Sequence, residues 1–358
     1  MKKLLVILLV LGMVAPAMAA EWNMYGSARV KFFYTDLDKE ASGVTDSLGN
    51  PESDTDLDMG LQGNARIGAN VKASDVVSGR FEYGTSGGNA NIRLLYGVWN
   101  FGSGSFLVGQ DYTPVDTLYS NQVVLDDNGL LSEGMVYEGR KAQLKLKMGG
   151  FQAALIQPQA SGVGSNTDVV LPKIELAYDM KMDMMSIGGY AGYQAYSNGP
   201  SGADYDVDAW VGGVRAKFEF GPAYVNANVF YAQNAGNYGI GLRNTYAGSQ
   251  LVSGTDTEDA TTFAGALAIG AKFTDMVAIE AGVGYMKNEV DVVGGTATQE
   301  GDATTYYVQL PITLAPGVFI VPEISVFDLG EDDNGVAGTP NVDNGQAVYY
   351  GAKFQINF

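Results

Sequence analysis

The stretch VYYGAKFQINF, residues 348–358, alternates with a period of two. Val348, Tyr350, Ala352, Phe354, Ile356 and Phe358 are apolar or aromatic, and between them sit Tyr349, Gly351, Lys353, Gln355 and Asn357. Successive side chains of a strand point to opposite faces, so the pattern describes a strand whose faces meet different solvents. The same alternation runs through WNMYGSARVKFFYTD (22–36) and MGLQGNARIGANVKA (59–73). Their polar faces carry Arg29, Lys31 and Arg66 at mid-strand. Facing lipid, each would cost about 2–4 kcal/mol, so that face meets water and the other meets hydrocarbon.

Residues 1–19 have the form of a secretory leader: Lys2 and Lys3, then the apolar LLVILLVLGMVAP, then Ala17-Met18-Ala19 as a small-x-small cleavage pattern. After residue 20 no run of eighteen apolar residues occurs, so any crossing of a membrane is made by strands. In hydrocarbon that requires a closed barrel, in which every backbone group is paired between strands. The composition agrees, with 48 Gly, 21 Tyr, 15 Phe and only 17% charged residues, against about a quarter charged in an ordinary soluble domain.

Cysteine and histidine are both absent. This excludes disulfides, thiolate metal sites, cysteine nucleophiles, Ser-His hydrolysis and His-ligated metals, and the chain is expected not to be an enzyme. A net charge of −19 argues against nucleic acid as a partner.

Further strands are expected near 79–86, 91–101, 104–112, 134–148, 151–158, 168–179, 185–196, 205–220, 222–232, 260–273, 276–287, 303–314, 317–327 and 346–358, sixteen in all. Alternation breaks at Glu138–Arg140 and around Asp208–Trp210, where bulges or a miscount by two strands would account for it. Short connections such as GSG (102–104), GG (149–150) and GP (221–222) alternate with long ones at 37–58, 113–133, 159–167, 233–259, 288–302 and 328–345. Short periplasmic turns and long outer loops are the rule for such barrels.

A leader, sixteen alternating strands and a terminal Phe together resemble the Gram-negative outer-membrane general porins, and the resemblance spans residues 20–358. Its most specific piece is GSGSFLVGQDYTPVDTLY (102–119), similar to the porin strand that ends in Gly-x-x-Tyr-Thr-Pro and leads into an inward-folded third loop. RKAQLKLKMGGFQAALIQP (140–158) is similar to the hairpin that follows that loop. The resemblance implies an all-β transmembrane antiparallel barrel in the outer membrane, a homotrimer among lipid and lipopolysaccharide, and a water-filled channel for passive diffusion of ions and small hydrophilic solutes. It also implies that Phe358 is part of a signal read by the barrel-assembly machinery. A substrate-selective channel for small anions or oxyanions on the same scaffold is the alternative.

Arg29, Lys31, Arg66, Arg80, Arg93 and Lys353 fall on the polar faces of strands 1–4 and 16, which are neighbours in a closed barrel. The expected third loop, 113–133, carries Asp116, Asp126, Asp127 and Glu133 and no base. Folded inward, it would face that basic wall and set up a transverse field across the water between them. No cofactor or metal is expected. The acidic loops 37–58 and 328–345 could hold Ca²⁺ or Mg²⁺, but the spacing in DLGEDDNG lacks the full calcium-loop pattern, and a solubilising role is the simpler reading.

Overall fold

The computed structural model describes residues 20–159, 167–199, 205–243, 246–253, 256–291, 297–335 and 338–358. The expected leader, 1–19, and parts of four expected outer loops lie outside them. The described residues form sixteen antiparallel strands: β1 (Glu21–Leu37), β2 (Asp54–Leu61, resuming as Arg66–Lys72), β3 (Val77–Gly84), β4 (Asn91–Asn100), β5 (Ser105–Tyr112), β6 (Arg140–Met148), β7 (Phe151–Ile156) and β8 (Lys173–Met182). They continue as β9 (Met185–Asn198), β10 (Tyr205–Phe220), β11 (Ala223–Gln233), β12 (Ala260–Lys272), β13 (Ala278–Asp291), β14 (Thr298–Gln309, resuming as Ile312–Ala315), β15 (Val318–Asp328) and β16 (Gln346–Asn357). Each pairs with its neighbours in sequence, and β1 pairs with β16 in unbroken register from Ser27–Asn357 to Leu37–Ala347. Phe358 completes the seam, exchanging two backbone hydrogen bonds with Gly26. Among the described residues no helix is long and apolar enough to cross a membrane.

The period-two pattern sorts the strands as lipid and water require. Trp22, Met24, Ile67, Tyr178, Phe220, Ile269, Phe273 and Phe354 point outward and are exposed. Positions between them point into the lumen, among them Arg80, Glu82, Gln143, Lys145, Asn228 and Thr262, and many are buried.

Three expectations are corrected. Residues 134–139 are not the start of a strand, because Gly134 (φ +113°) and Gly139 (φ +93°) hold the chain in turns and β6 begins at Arg140. The strand expected over 59–73 is interrupted at Gln62–Ala65, where a turn closes through Ala65 N–H to Gln62 O at 2.8 Å. No bulge marks Asp208–Trp210, since β10 keeps register with β9 and β11 throughout. There the polarity inverts rather than the backbone: Val207, Ala209 and Val211 face inward and are buried, Ala209 and Val211 against apolar loop residues inside the barrel and Val207 against Tyr196 and Tyr205. A bulge does lie on β4, where Arg93 is the extra residue between Ile92, opposite Tyr83, and Leu94, opposite Glu82.

Candidate functional site

The segment from Thr113 to Gly139 leaves β5 and crosses the lumen before β6 begins. Its backbone donors would be orphaned inside the barrel if nothing accepted from them. Carboxylates on three lumen-facing rows take that role. Glu175 on β8 accepts from Val115 N–H at 3.1 Å, and Glu280 on β13 accepts from Asn121 N–H at 2.8 Å and its Nδ2 at 2.6 Å. Glu323 on β15 accepts from Val123 N–H at 2.6 Å and Val124 N–H at 3.0 Å. Arg215 on β10 donates to the Pro114 and Asp116 carbonyls. Between these anchors the loop lies on a wall of small side chains. A Cβ on Gly284 would overlap the Glu133 carbonyl, and one on Gly134 would overlap the Gly265 backbone. The loop therefore touches the β12–β13 wall directly.

The far side of the lumen is charged. Arg66, Arg80 and Arg93 converge on one carboxylate, Glu82, which is 1% exposed, with N–O distances of 3.5, 3.1 and 2.7 Å. The bulge at Arg93 turns its guanidinium toward Glu82 and the Asn64 side chain. Arg29 and Lys353, from β1 and β16, both pair with Asp127 at the loop's inner end. The same end is held by Gln62 Nε2 donating to Asp127 and by Gly63 N–H donating to Asp126 at 2.8 Å. The turn that interrupts β2 is thus the loop's landing place.

Of the residues singled out from sequence, Arg29, Lys353 and Asp127 are brought into direct contact, with no water gap, while the neighbouring Asp126 accepts from Gly63 N–H. Lys31 instead pairs with Asp58 at 2.7 Å. Asp116 and Glu133 do not face the basic wall. Asp116 accepts from Thr113 and Glu138 N–H groups at the loop's own root, and Glu133 pairs with Arg243. Withdrawal from water, reinforced by the Glu138 carboxylate, pushes the Asp116 carboxyl up to about 8. Burial alone would also raise Asp127, but Lys353 and Arg29 outweigh it and hold that carboxyl below its ordinary value.

Sequence reasoning missed Arg140, Tyr112 and Tyr137. The two rings lie 6.4 Å apart and the Arg140 guanidinium sits over both, at 5.5 and 6.0 Å. Tyr112 lines a cavity of about 1130 Å³ that opens toward the short turns, with Lys145, Lys147 and Arg215 among its walls. Tyr137 lines a smaller one of about 310 Å³ toward the long loops, with Asp126 and Asp127. The tyrosine pair and Arg140 therefore stand where the two cavities approach each other. Also missed was Glu82, the one acid on the lumen row of β3. The acidic outer loops use several carboxylates on their own backbone: Asp46 accepts from Leu48 and Asn50 N–H groups, and Asp38 caps Ala41 and accepts from Gln346 N–H at 2.6 Å. Among the described residues no group of three or more potential ligands is gathered for a metal ion.

No family model matches the sequence, and no curated protein is significantly similar to it. Solved structures do match in fold. The outer-membrane channel DcaP of Acinetobacter baumannii superposes with a TM-score of 0.70 at 17% identity, over 95% of this chain and 97% of that one. OmpT of Vibrio cholerae in its trimer form gives 0.63 at 15% identity, over 95% and 100%. An anion-selective porin from Comamonas acidovorans gives 0.58 at 12% identity, over 95% and 100%. The chain has the closed sixteen-stranded fold of the Gram-negative outer-membrane porins.

Proposed function

We propose that this protein is an outer-membrane porin, a trimeric, non-enzymatic channel through which ions and small hydrophilic solutes diffuse passively. The observation that carries this reading is the loop 113–139. It is tied across the lumen by Glu175, Glu280 and Glu323 and lands beside a wall of arginines whose charge is not fully neutralised. A loop so fastened narrows a water-filled barrel to a charged eyelet, and the eyelet's width and charge set what passes. The leader over residues 1–19 and Phe358 at the seam suit export and insertion by the barrel-assembly machinery.

The same site favours a second reading, a preference for small anions. Arg29, Arg66, Arg80 and Arg93 pair with Glu82 or Asp127, and Arg140 lies over the Tyr112 and Tyr137 rings. Arg66 and Arg80 keep 20% and 33% of their side chains in contact with solvent. Guanidinium forks left partly free suit carboxylate or phosphate groups. Planar-bilayer recording under a salt gradient tests both readings. Ohmic steps that close in thirds are expected, with a reversal potential of anion-selective sign. Absence of any conductance would end the channel reading, and a cation-selective potential would end the anion reading alone.

A further inference from the structure

A second loop enters the lumen. Asn234 leaves β11 with a left-handed backbone (φ 51°), and a single helical turn, Ala235–Tyr238, carries Tyr238 into the barrel wall. Tyr238 is fully buried. Its hydroxyl donates to Glu175 at 2.7 Å, and Glu175 is the carboxylate that also accepts from Val115 of the first loop. The seat is cut to fit, because a Cβ on Gly192 of β9 would collide with the Tyr238 hydroxyl. Lys173 of β8, with no exposed surface, lies 4.0 Å from the centre of the Tyr238 ring, donates to the Tyr238 carbonyl at 2.6 Å and pairs with Glu138 of the first loop. Arg243 then bonds Glu133 and the Ser132 carbonyl.

The contacts between the two loops are apolar as well as polar. Val115 and Val136 from the first loop and Ala235, Tyr238 and Ile240 from the second form one buried cluster with Phe230 and Met286 of the barrel wall. A dry apolar core inside a barrel excludes water from that part of the cross-section.

We propose that the 234–243 loop is a second size-determining element of the channel. It is a wedge, pegged by Tyr238 and locked to the first loop through Lys173, that closes the β8–β12 side of the lumen and confines passage to the arginine side. This rests on the porin reading. Glu175 and the Glu138–Lys173 pair each bridge the two loops, so loss of the peg frees the second loop and loosens the first where it meets β8.

The test is single-channel conductance of the wild-type chain and of Tyr238→Ala and Lys173→Met, in each case also with Ala177→Cys as a reporter. Ala177 is 3% exposed within the same cluster, and the natural chain has no cysteine. Because conductance follows the open cross-section, we expect both peg variants to rise by roughly 1.5-fold or more. The thiol introduced at position 177 should resist a membrane-impermeant maleimide in the wild-type background and react in the variants. Heat-modifiable mobility on gels identifies variants whose barrel has formed. Formed barrels with unchanged conductance and an unreactive thiol would overturn the proposal. A silent wild-type channel with conducting variants would support the wedge while removing the passive-diffusion reading. Silence in all of them would overturn both.

Discussion

Asp127 concentrates the electrostatics of the site in one side chain. Two cations from the barrel seam close on it, and its own chain position fixes the end of the loop. Asp127 keeps 23% of its side chain in contact with solvent, so removing it costs less than the roughly 3–5 kcal/mol of a fully buried pair. Asp127→Asn should therefore leave the barrel intact but unseat the loop end, seen as noisier open-channel current and a stronger anion preference. The seat should also depend on pH in both directions. Asp127 has a lowered folded value, so its contribution is present above the ordinary carboxylate range near about 4 and lost as pH falls through that lowered value. Asp116 has the opposite shift. Its contribution is complete below its ordinary value and is gone once pH has risen through about 8. Current noise measured from pH 3 to pH 9 should show its minimum between those limits, and a flat profile would count against both assignments. Glu82 is the counterpart on the wall. Glu82→Gln would leave Arg66, Arg80 and Arg93 without their shared carboxylate, and the reversal potential should move further toward the anion limit.

At the level of elements, the strands were readable and the loop's path was not. Sixteen strands follow from alternation because lipid and water enforce opposite polarity on adjacent residues along the membrane-crossing length. The inward loop escapes that logic, since its residues are sorted by contact with the lumen wall and not by depth in a bilayer. Ala209 and Val211 look like part of an outward row and belong to an inward one, because the loops supply an apolar solvent inside the barrel. A usable signal did exist. Glu175, Glu280 and Glu323 are isolated carboxylates on inward rows, and each has become an acceptor for loop N–H groups. Glycine gives a sharp test of the path. Gly284→Val places side-chain carbons where the Glu133 carbonyl now lies. The variant should fold as a barrel but lift the loop, and limited proteolysis within residues 113–139 should proceed faster than in the wild type. An unchanged loop would mean that the close approach to β13 is not obligatory.

For the whole molecule, the inner cross-section is uneven. The larger apolar core lies against β8–β14, a smaller one joins Phe33, Phe327 and Ala347 to Val123 and Val124 of the loop, and the Glu82 ion-pair cluster lies on β2–β4. Substitutions on the two sides should then act differently: those at Arg93 or Arg140 on selectivity, those at Phe230 or Met286 on loop order. The seam adds a prediction for assembly. Deleting Phe358 removes both backbone hydrogen bonds to Gly26, and the yield of heat-modifiable protein in the outer membrane should fall several-fold, which a pulse-chase with quantitative blotting would measure.

Because that seam sets Ser27 beside Asn357, the first strand to be made waits for the last. Until the final dozen residues arrive, β1 presents a long unpaired edge with one oily face, the form of surface that invites pairing between chains. Contacts of such sequence separation also form slowly. Among the described residues the closed barrel sheet offers no edge, so the hazard at β1 belongs to the interval before closure, and that interval is where an escorting chaperone would matter most.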